Sequence, residues 1–146
     1  MHDFGRLLPG EAYEKMSPGT FTIIGDYVQH EEGVIVFDRD YWWWDTLIVD
    51  GNAVLEGGIQ FVLGDNLNYL PVIGEEFALV YATESIVDRL DPVIYGRWGY
   101  EFSHSVGFNA VTNMFELRIR VETVPTPSAV CMVLVCGGGI MSRRRR

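Results

Sequence analysis

The segment Thr20-Phe21-Thr22-Ile23-Ile24-Gly25-Asp26-Tyr27-Val28 is echoed twenty-six residues later by Thr46-Leu47-Ile48-Val49-Asp50-Gly51-Asn52-Ala53-Val54. Thr, two apolar positions, Gly, Asp or Asn, and Val recur in step. The spacing is near one turn of a β-solenoid, in which a coil cannot bury its own apolar face and stacks on its neighbours. Such stacks want about three repeats or more, so two surviving repeats read as the end of an array. Chance likeness between two β-rich stretches is the alternative.

The rest of the body reads almost wholly as strand. Val34-Ile35-Val36-Phe37, Ile59-Gln60-Phe61-Val62-Leu63 and Phe77-Ala78-Leu79-Val80-Tyr81 are short β-branched or aromatic runs between Gly, Asp and Asn turns. Phe115 to Glu122 alternates strictly, which predicts Phe115, Leu117, Ile119 and Val121 on a core face and the charges in water. Sixteen glycines, six prolines and a single lysine leave little room for long amphipathic helices. Glu84 to Leu90 is the one stretch expected to form a turn of helix. About 120 residues of body suffice for one domain with a real core, not for two.

Charge is strongly polarised. Residues 1–142 hold seven Lys and Arg against twenty Asp and Glu, a net −13, and Arg143, Arg144, Arg145 and Arg146 add +4 at the end. An acidic body without a basic stripe argues against nucleic acid, whose phosphates need clustered cations. Ahead of the arginines lies Val124-Pro125-Thr126-Pro127-Ser128 and then an apolar run, Ala129 to Met141. Pro125 and Pro127 forbid a strand or helix continuous with the body. As a helix the thirteen-residue run would rise about 20 Å, against roughly 30 Å of bilayer hydrocarbon, and Gly137-Gly138-Gly139 weakens it further. Length alone favours a C-terminal strand or buried segment. The flanking prolines and cations favour a membrane-seeking tail, since four arginines are costly to bury and cationic ends stay on the cytoplasmic face. Both cysteines, Cys131 and Cys136, lie in the run; five apart, they would point in different directions on a helix, so they are expected as apolar fillers.

In this order of parts the tail resembles the PEP-CTERM sorting signal, the ice-binding protein C-terminal domain family, found on exported bacterial proteins handled by an exosortase. Val124, Pro125 and Pro127 match the motif, and Thr126 stands where the family usually has Glu. The resemblance implies a tail that holds the exported chain at the inner membrane until processing near Pro-x-Pro. It implies an exosortase-type enzyme as partner and the cell envelope as location. Trp44 to Val124 also resembles, weakly, the ends of autotransporter-like β-solenoids: a last coil over Asp45 to Gly51, further strands, and a final strand shielding the stack. Met1 to Lys15 has charges throughout and no apolar stretch of the kind a signal peptide carries. With a sorting tail, that predicts a true start farther upstream.

Candidate chemistry is sparse. Asp26, Asp38, Asp40, Asp45 and Asp50 are acidic enough for Ca²⁺ but lack its loop spacings, and are expected as solvated turn carboxylates. His2, His30 and His104 are too scattered for zinc. Ser103-His104-Ser105 with Asp88 or Asp91 forms a triad only on paper, with no strained Gly-x-Ser-x-Gly elbow. Tyr41-Trp42-Trp43-Trp44 is the most unusual feature of the body. In extended chain Trp42 and Trp44 share one face and Tyr41 and Trp43 the other, so the run either packs beneath a cap or stacks on sugar rings as a polysaccharide contact.

The sequence therefore predicts an all-β protein, a short β-solenoid or β-sandwich-like body with a C-terminal hydrophobic helix or tail. Residues 1–19 are an irregular lead, 20–123 the stack and its cap, and 124–146 the sorting signal. No catalytic residue, metal or cofactor is assigned. The expected function is structural, at the cell surface or in extracellular matrix. The rival is a carbohydrate- or ice-binding module using Trp42 to Trp44.

Overall fold

A computed structural model describes residues 1–3, 5–9, 19–39, 43–63, 70–90, 94–95 and 99–124. Thirteen strands follow one another: β1 His2–Asp3, β2 Arg6–Leu7, β3 Thr20–Ile24, β4 Tyr27–Gln29, β5 Val34–Arg39, β6 Thr46–Asp50, β7 Asn52–Leu55, β8 Gly58–Leu63, β9 Glu76–Ala82, β10 Ser85–Asp88, β11 Ile94–Tyr95, β12 Glu101–Asn109 and β13 Met114–Thr123. The protein is all-β, and no helix occurs among the described residues.

Three sheets account for every strand: β1-β4-β7-β10, β11-β8-β5-β2 and β12-β13-β9-β6-β3. The first two are wholly parallel. The third is mixed, parallel from β3 through β6 to β9 and antiparallel from β9 to β13 and β12. The twenty-six-residue echo becomes a ladder in register: Thr20 pairs with Thr46, Ile23 with Val49 and Val28 with Val54. A side chain thus stacks on its counterpart in the echo, and the Thr20 and Thr46 hydroxyls meet at 2.8 Å.

Stacking explains which residues are inside. Leu47 lies on Val80, and Val49 lies between Ile23 and Ala82; all but Ile23 are fully enclosed. Phe37 stacks on Phe61, whose ring also meets Phe77 at 5.3 Å and Phe102 at 5.7 Å. Burying a side chain of this size stabilises the fold by roughly 1.5–3 kcal/mol, so these apolar rows are the main source of cohesion. The corners are equally tight. A methyl group added to Gly57 would sit 2.1 Å from the Gly33 carbonyl oxygen. On Gly51 it would sit 2.8 Å from Asp26 Oδ1 and from the Gly25 carbonyl carbon. Both positions need glycine because the neighbouring chain passes directly against them.

Several expectations are corrected. Glu84 to Leu90 is not helical: β10 runs parallel to β7, with Ser85 opposite Asn52 and Asp88 opposite Leu55. The β-branched pair Ile86-Val87 suits that ladder, and tertiary pairing outweighs a weak helical preference. Parallel pairing also continues beyond the segment expected to be its last member, because β9, β10 and β11 lie on β6, β7 and β8. Leu117, Ile119 and Val121 take the core face of β13, whereas Phe115 is only half-buried near the hairpin tip against Phe108. Glu116, expected in water, is 2% exposed. The residues from Pro125 onward, which carry the expected tail, lie outside the described residues.

Candidate functional site

The aromatic run divides at Trp44. Tyr41 and Trp42 lie outside the described residues. Trp44 is half-buried, its Nε1 donates to the Ala78 carbonyl at 2.9 Å, and its ring meets Phe77 edge-on at 5.4 Å. Arg39, at the end of β5 and bridged to Trp44, stacks over the Phe77 ring, 4.4 Å from its centroid, and pairs with Glu75 at 3.3 Å. Trp44 is thereby committed to packing. Trp43 is 74% exposed and is the one member of the run that presents a ring to solvent among the described residues.

The acids separate by role. Asp45 is fully buried: Oδ1 accepts the Gly19 N–H at 2.6 Å and Oδ2 accepts the Asp38 N–H at 2.9 Å. It is a buttress tying the start of β3 to β5 and the entry to β6, not the solvated turn carboxylate expected. Asp26 accepts both the backbone and side-chain N–H groups of Asn52, which hold its carboxyl below the ordinary range. Asn52 passes the contact on, donating to Glu84 at 2.7 Å and accepting from Ser85 at 2.7 Å. These bonds form a polar ladder down one corner. Asp38 is half-buried, and desolvation raises its carboxyl against the opposing pull of Arg6. Asp40 lies outside the described residues. Among the described residues no three His, Cys, Asp or Glu side chains are placed to hold a metal.

The Ser-His-Asp grouping is not assembled by Ser103, His104, Ser105 and Asp88. Successive residues of β12 face opposite sides of the sheet. His104 reaches Asp88 at 3.1 Å and pins β12 to β10, while Ser103 on the other face donates to Glu122 at 2.5 Å. Asp91 lies outside the described residues.

One polar groove escapes sequence reasoning. Glu76, Ser105, Gly107, Asn109, Glu116 and Arg118 line a shallow hollow of about 200 Å³ on the outer face of the hairpin β12-β13. Gly107 opposes Glu116 across the ladder and supplies the open space. Burial alone raises the Glu116 carboxyl, but bonds from Arg118, Asn109 and Thr112 outweigh it and hold the group below the ordinary range. Arg118 is correspondingly held more firmly in its charged form by Glu116. The carboxylate's lone pairs are thus engaged within the protein, and the groove works as a brace for the hairpin. No signal in the alternating sequence of β13 marks Glu116 as buried.

No family model matches the chain, and no curated protein matches it.

Proposed function

We propose that this chain is an exported structural protein of the bacterial cell surface or extracellular matrix. Its body is the end of a β-solenoid, and residues 124–146 are its sorting and anchoring signal. The reading of the body draws on parallel pairing in register throughout two sheets and from β3 through β6 to β9 in the third, with an offset of 26 between β3 and β6 and of 33 between β7 and β10. β13 lies antiparallel on β9 and covers an edge that an open array would otherwise expose. The address rests on one observation, the order Val124-Pro125-Thr126-Pro127, apolar run, Arg143-Arg144-Arg145-Arg146. An exosortase-type enzyme is the partner this order fits, and no catalytic role is assigned to the body.

The test is fractionation in a bacterium that contains an exosortase. With the four arginines replaced by neutral residues, the protein is expected to lose its retention in the envelope. Unchanged retention would count against the address.

Trp43 favours one second reading, a polysaccharide contact. An exposed indole, as Trp43 is at 74% exposure, can stack on a sugar ring. Glycan-array binding that disappears in Trp43→Ala would support it, and absence of binding in both forms would remove it. Trp44 is spent on packing, so this reading rests on a single described ring.

A further inference from the structure

We infer that the loop Leu70 to Ile73, beside the point where the tail leaves the body, is the face by which the body rests on a lipid bilayer. The inference deepens the address proposed above and rests on it, since it says how the body lies once residues 129–141 are in the membrane.

Exposed apolar side chains are ordinary when scattered singly, whereas a cluster of them marks a contact surface. Leu70, Val72 and Ile73 fall within four residues and are 51%, 63% and 63% exposed. The loop is held in that pose. Pro71 is buried between them, Glu75 N–H donates to the Val72 carbonyl at 3.0 Å, and Val72 N–H donates to Glu75 Oε2 at 3.1 Å. It is also tied to β13, where Gly74 N–H donates to the Val121 carbonyl at 2.8 Å and Val121 N–H to the Glu75 carbonyl at 2.9 Å. These bonds fall three residues before Val124, which packs against the core and is the last described residue before the tail.

Chain length selects the occupant. Five chain steps separate Val124 from Ala129, where the apolar run begins, and fully extended they reach at most about 18 Å. A run inserted in a bilayer therefore keeps Val124, and the loop beside it, within that distance of the hydrocarbon. The surroundings suit the membrane interface. Trp44 donates to the Ala78 carbonyl near the start of β9, which brings the exposed indole of Trp43 to this same end of the sheet, and tryptophan favours the headgroup level. The exposed Arg120 guanidinium lies 3.8 Å from the position a Gly74 Cβ would take, placed to donate to lipid phosphates. Two acids nearby are engaged within the protein, Glu75 by Arg39 and Glu122 by Ser103. Val111, 94% exposed at the hairpin turn, stands at the opposite end of the ten-residue β13, about 30 Å away.

The test uses the full chain on phosphatidylcholine vesicles, whose zwitterionic surface does not repel the acidic body. Three proteins carry one NBD fluorophore each: on Ile73→Cys or on Val111→Cys, both with Cys131→Ala and Cys136→Ala, and on the native Cys136 with Cys131→Ala alone. A nitroxide borne by the lipid near its headgroup is expected to quench the Ile73 label at least twofold and to leave the Val111 label, equally open to solvent, unchanged. Iodide in the water should quench the Ile73 label at least threefold less once vesicles are added. Equal nitroxide quenching at Ile73 and Val111, or none at either, would overturn the inference. Shielding of Ile73 from iodide without nitroxide quenching would overturn it too, because the loop would then be covered by protein, either the chain's own apolar run or a second copy. The Cys136 label reads the address separately. If nitroxide reaches Cys136 but not Ile73, the address stands and this inference falls; if it reaches Ile73 but not Cys136, the contact stands and the address falls.

Discussion

Gly57 and Glu116 show what single residues do in this fold. Gly57 has no room for a methyl group, because the Gly33 and His30 carbonyls and the Gln29 amide all press on it. Gly57→Ala must push the β5 corner away, and urea unfolding should register a loss of about 1–3 kcal/mol from overpacking. Glu116 makes a prediction with pH. Its folded carboxyl titrates below the ordinary range of about 4.3, so its contribution is present above that value and fades as pH falls through the lower, folded one. Wild-type stability should therefore drop more steeply on acidification than that of Glu116→Gln, as read from urea midpoints between pH 2 and 6. Equal slopes would mean that the Arg118 and Asn109 bonds do not favour the ionised form. Neither role was legible in the sequence. A glycine before a strand and a glutamate in an alternating strand look the same whether or not a neighbouring chain closes over them. Asp45 is the same case: a turn carboxylate in the sequence, an enclosed buttress in the fold.

Among elements, the short apolar runs between turn residues were readable, and β5, β8, β9 and β13 fall where alternation and composition put them. The echo was readable too, because β3 and β6 keep the same length and each is followed by a glycine at the corner, Gly25 and Gly51. The next pairing was hidden: residues 64–75 lengthen the connection before β9, which moves the offset to 33 and breaks the visible repeat. β10 has only a weak helical preference in its own sequence, and its partner β7 makes it a strand. The hairpin β12-β13 depends on Leu117, Ile119 and Val121, all fully enclosed against the body. Leu117→Ala should cost about 2–5 kcal/mol through lost burial and the cavity left behind, measurable by chemical unfolding. A loss under 1 kcal/mol would mean that the hairpin packs loosely on β9.

At the scale of the molecule, cohesion comes from like residues of successive segments standing on one another, with tight glycine corners and an antiparallel strand over β9. This makes the register between β3 and β6 the feature on which the account turns. The most direct measurement is disulfide closure in full-length protein whose Cys131 and Cys136 are replaced by Ser, comparing Thr20→Cys with Thr46→Cys against Thr20→Cys with Ile48→Cys. Paired neighbours in register fall within the span a disulfide tolerates, and a shift of two residues places the sulfurs too far apart. The first pair should close rapidly under mild oxidation and raise stability by about 3 kcal/mol, while the second stays largely reduced. Equal closure in the two proteins, or faster closure in the second, would contradict the stacked register.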